Sequence, residues 1–284
     1  MRRPATFFCL LVSGFAAIAT AEEPPVSDAE LLRATYREEA EKREFMLVDG
    51  AKLKLADAPV MHWSNYGEWA GDVFVWTLDG RPAVIGGVLS WPSRGRQVYN
   101  FSQEFHLLAE QPIAPTNLED GRRWAPEEGL KRKPIADAPT PAATARARLV
   151  QMRKLASSFK AFMEHDGNWE LRLLPQPLVR YGNDRSDAVD GALFSYVWSK
   201  GTDPEVILLL ECHRQDQTLS WRYAPVLFTT REVWLKYDDR EVWHVDPYEE
   251  PPGAISTKLF TVQPHFRSIQ VRPKPDAAVD ATPK

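Results

Sequence analysis

The chain has 284 residues, 44% of them hydrophobic, and its 35 Lys and Arg stand against 39 Asp and Glu for a formal charge of −4. That length fills one large core or two modest ones, at roughly 100–200 residues per domain. The mild acidity argues against a nucleic-acid surface, which needs clustered cationic charge.

Residues 1–21 read as a signal peptide. Arg2 and Arg3 form a basic start, Phe7 to Ile18 is mostly apolar, and Ala19-Thr20-Ala21 is a small-x-small cleavage site. The chain is therefore expected to be exported, to the periplasm or beyond. No later run reaches the 18 or so apolar residues of a membrane-spanning helix, so no integral membrane segment is expected after cleavage. Cys9 leaves with the leader, and Cys212, which follows the apolar run Val206 to Leu210, reads as a small buried hydrophobe.

Ser27-Asp28-Ala29-Glu30 is a capping box and predicts a helix from there to about Met46. Strands follow over Lys52–Leu55 and Val60–Ser64. A hairpin comes next, Val73–Leu78 turning at Asp79-Gly80 into Val84–Trp91, and Val98–Leu108 completes the series. Pro112 to Pro141 holds six prolines and few apolar residues, so it is expected to run extended over the surface as a linker. Thr140-Pro141 predicts the start of a second helix. Leu149, Met152, Ala156, Phe159 and Met163 form its apolar stripe, and His165-Asp166-Gly167 its stop. The strand series then recurs: Trp169–Leu173, Leu178–Tyr181, Leu193–Trp198, Val206–Cys212 and Trp221–Thr229, with Glu232–Tyr237 and Glu241–Val245 added.

The two series align residue by residue. Lys52-Leu53-Lys54-Leu55 answers to Glu170-Leu171-Arg172-Leu173, Pro59 and Asn65 to Pro177 and Asn183, Gly71 and Phe74 to Gly191 and Phe194, and Pro82-Ala83-Val84-Ile85 to Pro204-Glu205-Val206-Ile207. The expected architecture is α+β: two related helix-plus-antiparallel-meander halves whose meanders could join into one continuous sheet. The halves are 22–111 and 142–272, with the linker 112–141 between them and a disordered Pro/Ala/Asp-rich tail at 273–284.

No strong catalytic motif is present. Glu104-Phe105-His106 and Glu211-Cys212-His213 each put a carboxylate and an imidazole on one face of a strand. They occupy non-equivalent places in the two series, so no metal and no cofactor is expected. His62, Asp72, Glu104 and His106 could form an acid/base cluster in the first half. Their second-half counterparts are Arg180, Ala192, Val226 and Phe228, which excludes a duplicated catalytic site. Ten tryptophans are many, and Trp63, Trp69 and Trp91 are the candidates to line a groove and stack on a ligand.

Val73-Phe74-Val75-Trp76-Thr77-Leu78-Asp79-Gly80-Arg81-Pro82, Glu104-Phe105-His106-Leu107-Leu108, Leu173-Leu174-Pro175-Gln176-Pro177, and Asp190-Gly191-Ala192-Leu193-Phe194 with Gly201-Thr202-Asp203-Pro204-Glu205 resemble uncharacterised secreted proteins of planctomycete-type bacteria. The resemblance implies export and a shared fold and carries over no functional residue. The expected role is non-catalytic recognition of a protein or small ligand at the groove between halves. The alternative is a hydrolase with one site in the first half, built from Glu104, His106 and His62.

Overall fold

The computed structural model describes residues 27–270 apart from 94–97, 119–120, 184–185, 217 and 249–254. The expected signal peptide (1–21) and the expected disordered tail (273–284) lie outside the described residues. Helix α1 (Asp28–Glu41) starts on the Ser27 capping box, with the Ser27 and Glu30 side chains each reaching the other's backbone amide. It leads into β1 (Lys54–Leu55), β2 (Met61–Ser64), β3 (Ala70–Leu78), β4 (Arg81–Pro92) and β5 (Val98–Leu107). Asp79 and Gly80 both take positive φ, which lets two residues close the β3–β4 hairpin.

Three short strands cross the proline-rich segment: β6 (Thr116–Asn117), β7 (Arg123–Trp124) and β8 (Lys133–Pro134). Helix α2 (Ala145–Ser158) is capped by Thr144, followed by β9 (Phe159–Glu164) and β10 (Asn168–Glu170). The second series is β11 (Arg172–Leu173), β12 (Val179–Tyr181), β13 (Ala188–Val197), β14 (Pro204–Gln215) and β15 (Thr218–Leu227). The chain ends with β16 (Val233–Tyr237), β17 (Arg240–Val245), β18 (Ile255–Ser256) and β19 (Phe260–Gln270).

Among the described residues the protein is mostly β, 52% strand and 12% helix with two helices, so the expected α+β class of helix-plus-meander halves is overturned. Nor do the meanders merge. One sheet runs β1-β3-β4-β5-β19 with β2 also on β3, and a separate sheet runs β11-β13-β14-β15-β8 with β12 also on β13. A four-stranded sheet, β10-β9-β16-β17, and a three-stranded one, β18-β7-β6, complete the fold. The surplus of strand comes from segments whose pattern misled. Phe159 and Met163 sit four apart, as on a helix, but alternate burial over Phe159, Ala161 and Met163 is the two-residue period of a strand. That strand buries Phe159 and Met163 against β16 and ends α2 at Ser158, seven residues before His165.

The two six-stranded sheets stack face to face. Val73, Val75 and Ile85 of the first meet Leu193, Ile207 and Leu209 of the second in a shared core. The outer face of the first sheet (Phe74, Trp76, Val84, Phe105) packs beneath Leu32, Tyr36 and Ala40 of α1. The outer face of the second (Phe194, Tyr196, Leu208, Leu210) packs beneath Met152, Leu155 and Ala156 of α2 and against β9 and β16. Both faces of each sheet are covered, which is why β13 is buried at all ten positions.

Equivalent positions play equivalent parts. Trp63 sits over Gly71 and Tyr181 over Gly191, and a Cβ on either glycine would overlap the ring. The Trp76 indole donates to the Arg43 carbonyl just past α1 (3.1 Å), and the Tyr196 hydroxyl donates to the Ala156 carbonyl in the last turn of α2 (2.8 Å).

The 112–141 segment is extended, as its prolines require, but it does not lie on the surface. Ile113, Leu118, Trp124, Leu130 and Ile135 are buried, and Trp124 joins an aromatic cluster with Phe45 and Phe105. The C-terminal strand β19 returns to pair with β5, so 142–272 contributes a strand to the first sheet.

Candidate functional site

The halves meet where the tip of the β13–β14 hairpin lies on the β2–β3 loop. Thr202 donates its amide to the Ser64 carbonyl (3.1 Å), Tyr66 its amide to the Lys200 carbonyl (3.1 Å), and Asn65 its side-chain amide to Asp203 (3.3 Å). These contacts frame a cleft of about 560 Å³ between the sheets. One lip is aromatic: Tyr66 is 93% exposed, and Trp69 lies flat on Trp91 at 4.7 Å between ring centres. Trp63 and Leu89 continue that wall inward. The opposite wall is Trp198, with Lys200 4.7 Å and Arg231 5.2 Å from its ring centre.

Three carboxylates reach the same cleft, Glu104, Asp203 and Glu205. Glu205 is the second residue of β14 and is 3% exposed. Burial, then the neighbouring Asp203 charge, pushes its pKa up to about 8, against the opposing pull of Arg231 at 3.5 Å and Thr229. At neutral pH it is a carboxylic acid and can donate a hydrogen bond. Two further polar atoms of this wall, Trp198 Nε1 and Asp203 Oδ1, have no hydrogen-bond partner among the described residues. Fully buried, such atoms are costly. The cleft thus offers flat ring faces on one side and polar groups of both signs on the other.

The residues singled out from the sequence fall into two groups. Trp63 and Trp69 line this cleft, Trp91 does not line it but stacks on Trp69, and Glu104 joins them, its carboxylate lying in the space left by Gly87. His106 touches Glu104 at 3.4 Å but is sandwiched between Phe228 and Phe260 and lines a different cavity. His62 is elsewhere. It pairs with Asp72 across β2 and β3 at 2.6 Å, and that register aligns with Val88, on the face beneath α1. Glu104 and His106 alternate with Phe105, which belongs to that face, so they point to the other side of the sheet. Glu104, His106 and His62 do not form one site. Sequence reasoning missed Tyr66, Trp198, Asp203, Glu205 and Arg231. The one signal for them was a charged residue, Glu205, heading the apolar run Val206 to Leu210.

Among the described residues, the cluster with metal-ligand spacing is Glu110, Glu211 and His213. Glu211 is already saturated with donors. Arg81 holds it through Nε and Nη2, both at 2.9 Å, Arg132 at 3.0 Å, the Tyr181 hydroxyl at 2.6 Å and His213 at 2.9 Å. Burial alone would raise this carboxyl, but the His213 hydrogen bond and the two guanidiniums pull it well below the usual range. A divalent ion would have to displace two arginines, so the group fits an ion-pair network better than a metal centre. Because Arg81 comes from the first hairpin and Glu211 from the second sheet, the network pins the halves together. Cys212, alongside, is buried, and burial pushes its thiol up to about 11.

No known protein family, curated protein or solved structure matches the chain. No helix among the described residues is long and apolar enough to cross a membrane.

Proposed function

We propose that this chain is an exported binding protein whose site is the cleft between the two stacked sheets, and that its ligand is a small polar ring compound such as a saccharide. The observation that carries the reading is the juxtaposition of the Trp69–Trp91 stack and the exposed Tyr66 with the buried acid Glu205 in one cleft. A sugar has an apolar C–H face for an indole and an edge of hydroxyls for carboxyl, guanidinium and amide partners. The mixed charge of the wall, with Lys200 and Arg231 facing Glu104 and Asp203, suits a neutral ligand better than an ion.

The test is calorimetric titration with β-linked and α-linked glucose, xylose and N-acetylglucosamine oligomers, on wild type and Trp69→Ala. Binding by wild type that weakens at least tenfold in the variant supports the proposal. If no oligomer binds, or if binding ignores the substitution, the reading fails. A hydrolytic second reading draws on two carboxyls of the same cleft, Glu104, 3.4 Å from His106, and Glu205, which burial holds protonated as a candidate general acid. It predicts that a bound oligomer is cleaved by wild type and survives with Glu205→Gln.

A further inference from the structure

A second cavity, of about 500 Å³, lies where the ends of β5 and β19 face β15 and β17, roofed by residues 127–131 of the proline-rich segment. We propose that it binds a monocarboxylate with an apolar body, of the class of medium-chain fatty acids. Leu130, Val226, Leu227, Trp243 and Phe260 give it apolar walls, and its volume falls in the range of roughly 300–1,000 Å³ typical of small-molecule sites.

Two observations point to an anionic amphiphile. Lys131, Lys133 and Lys258 line the cavity against two acids, Glu127 and Glu128. Lys131 and Glu128 neutralise each other at 2.6 Å. Lys133 reaches only the Val242 carbonyl (3.2 Å), and Lys258 lies over the Tyr248 ring at 4.9 Å. Neither has a carboxylate partner among the described residues, so with Glu127 the apolar space is rimmed by two ammoniums and one carboxylate, a net positive charge.

The second observation is His106. Its side chain is 1% exposed, it is stacked 4.3 Å from Phe228, and neither ring nitrogen has a hydrogen-bond partner among the described residues, the Glu104 oxygen lying 3.4 Å from Nε2. A buried imidazole lacking partners in an apolar wall is costly, and such a group in a native fold calls for a specific reason. A ligand head group entering past Lys133 and Lys258 supplies the missing partner while its chain lies along Val226 and Phe260.

This site is separate from the saccharide cleft and stands or falls without it. The experiment is titration calorimetry of the full chain with sodium decanoate, with decanol as the uncharged control. Lys133→Met/Lys258→Met and Trp69→Ala are the variants. Both lysines are exposed, so the double variant keeps the fold, checked by its unchanged urea midpoint. Expected are one decanoate per chain, affinity lowered about tenfold or more in the double-lysine variant, as for a lost charge-assisted hydrogen bond, and no change in Trp69→Ala. Absence of binding up to roughly 1 mM decanoate, equal affinity for decanol, or indifference to the lysine substitutions would overturn the proposal. Loss of decanoate binding in Trp69→Ala would overturn it too, by moving the ligand to the other cleft.

Discussion

Replacing Glu205 with Gln tests the electrostatics of the cleft directly. The native carboxyl titrates near pH 8, whereas an exposed carboxyl in the unfolded chain titrates near 4.5. Between those pH values the folded state keeps a proton that the unfolded state has released. Stability therefore falls as pH rises from 4.5 to 8 and is level above that. At 1.36 kcal/mol per pH unit the full window amounts to roughly 5 kcal/mol. Arg231, 3.5 Å away, can close on the freed carboxylate and reduce the loss, so the working figure is on the order of 2–5 kcal/mol. Gln has nearly the shape of the neutral acid and no proton to lose. Urea melts of both proteins at pH 4, 6.5 and 8.5 should give near-equal stabilities at pH 4 and a Glu205→Gln variant more stable by that margin at pH 8.5. A difference that stays constant across the three pH values would refute a protonated Glu205, and with it the hydrogen-bond donor the cleft is argued to present.

The remaining predictions concern packing. Phe74→Ala and Phe194→Ala, at equivalent positions beneath α1 and α2, should each cost on the order of 3–5 kcal/mol in denaturant melts. Gly191→Ala should cost roughly 1–3 kcal/mol, because the new methyl group overlaps the Tyr181 ring, and Tyr181→Ala in the same chain should recover part of the packing strain. Arg81→Met should cost on the order of 1–3 kcal/mol, because Glu211 loses one of its two guanidiniums but keeps Arg132, Tyr181 and His213. Glu211 stays ionised in the fold well below pH 4.5, so the stability it contributes is present above that pH and lost as pH falls. Arg81→Met should flatten that acid limb, measured by melts between pH 5 and 3.

Most strands were legible because their apolar runs are punctuated by turn residues with a mechanism, such as Asp79-Gly80 between β3 and β4 and Asp238-Asp239 between β16 and β17, all four at positive φ. What escaped were elements stabilised by distant partners. β19 pairs with β5 across most of the chain, Pro264 interrupts it, and its register shifts between Gln263 and Arg267, so no local pattern announced it. Trp124 sits in a segment whose prolines announce an exposed linker, yet it is fully buried among aromatics from elsewhere. The cleft was half legible. Tryptophans on one strand series could be named from composition and spacing, but Glu205 and Trp198 acquire their character only from what the fold places around them.

The two sheets share one pairing order over five strands, and the ring-over-glycine and ring-to-carbonyl contacts recur at matching positions. The polar residues do not follow this correspondence: His62 faces Asp72 in the first sheet, Arg180 faces Ala192 in the second, and Arg180 turns instead to Asp190 beside Arg148. Packing constrains both faces of each sheet, so apolar positions tolerate little change, while the hairpin tips and sheet ends are free to diverge. Stacking two such units face to face brings an aromatic loop from one against an acidic hairpin tip from the other. The cleft is asymmetric for that reason, and its chemistry belongs to the junction rather than to either half.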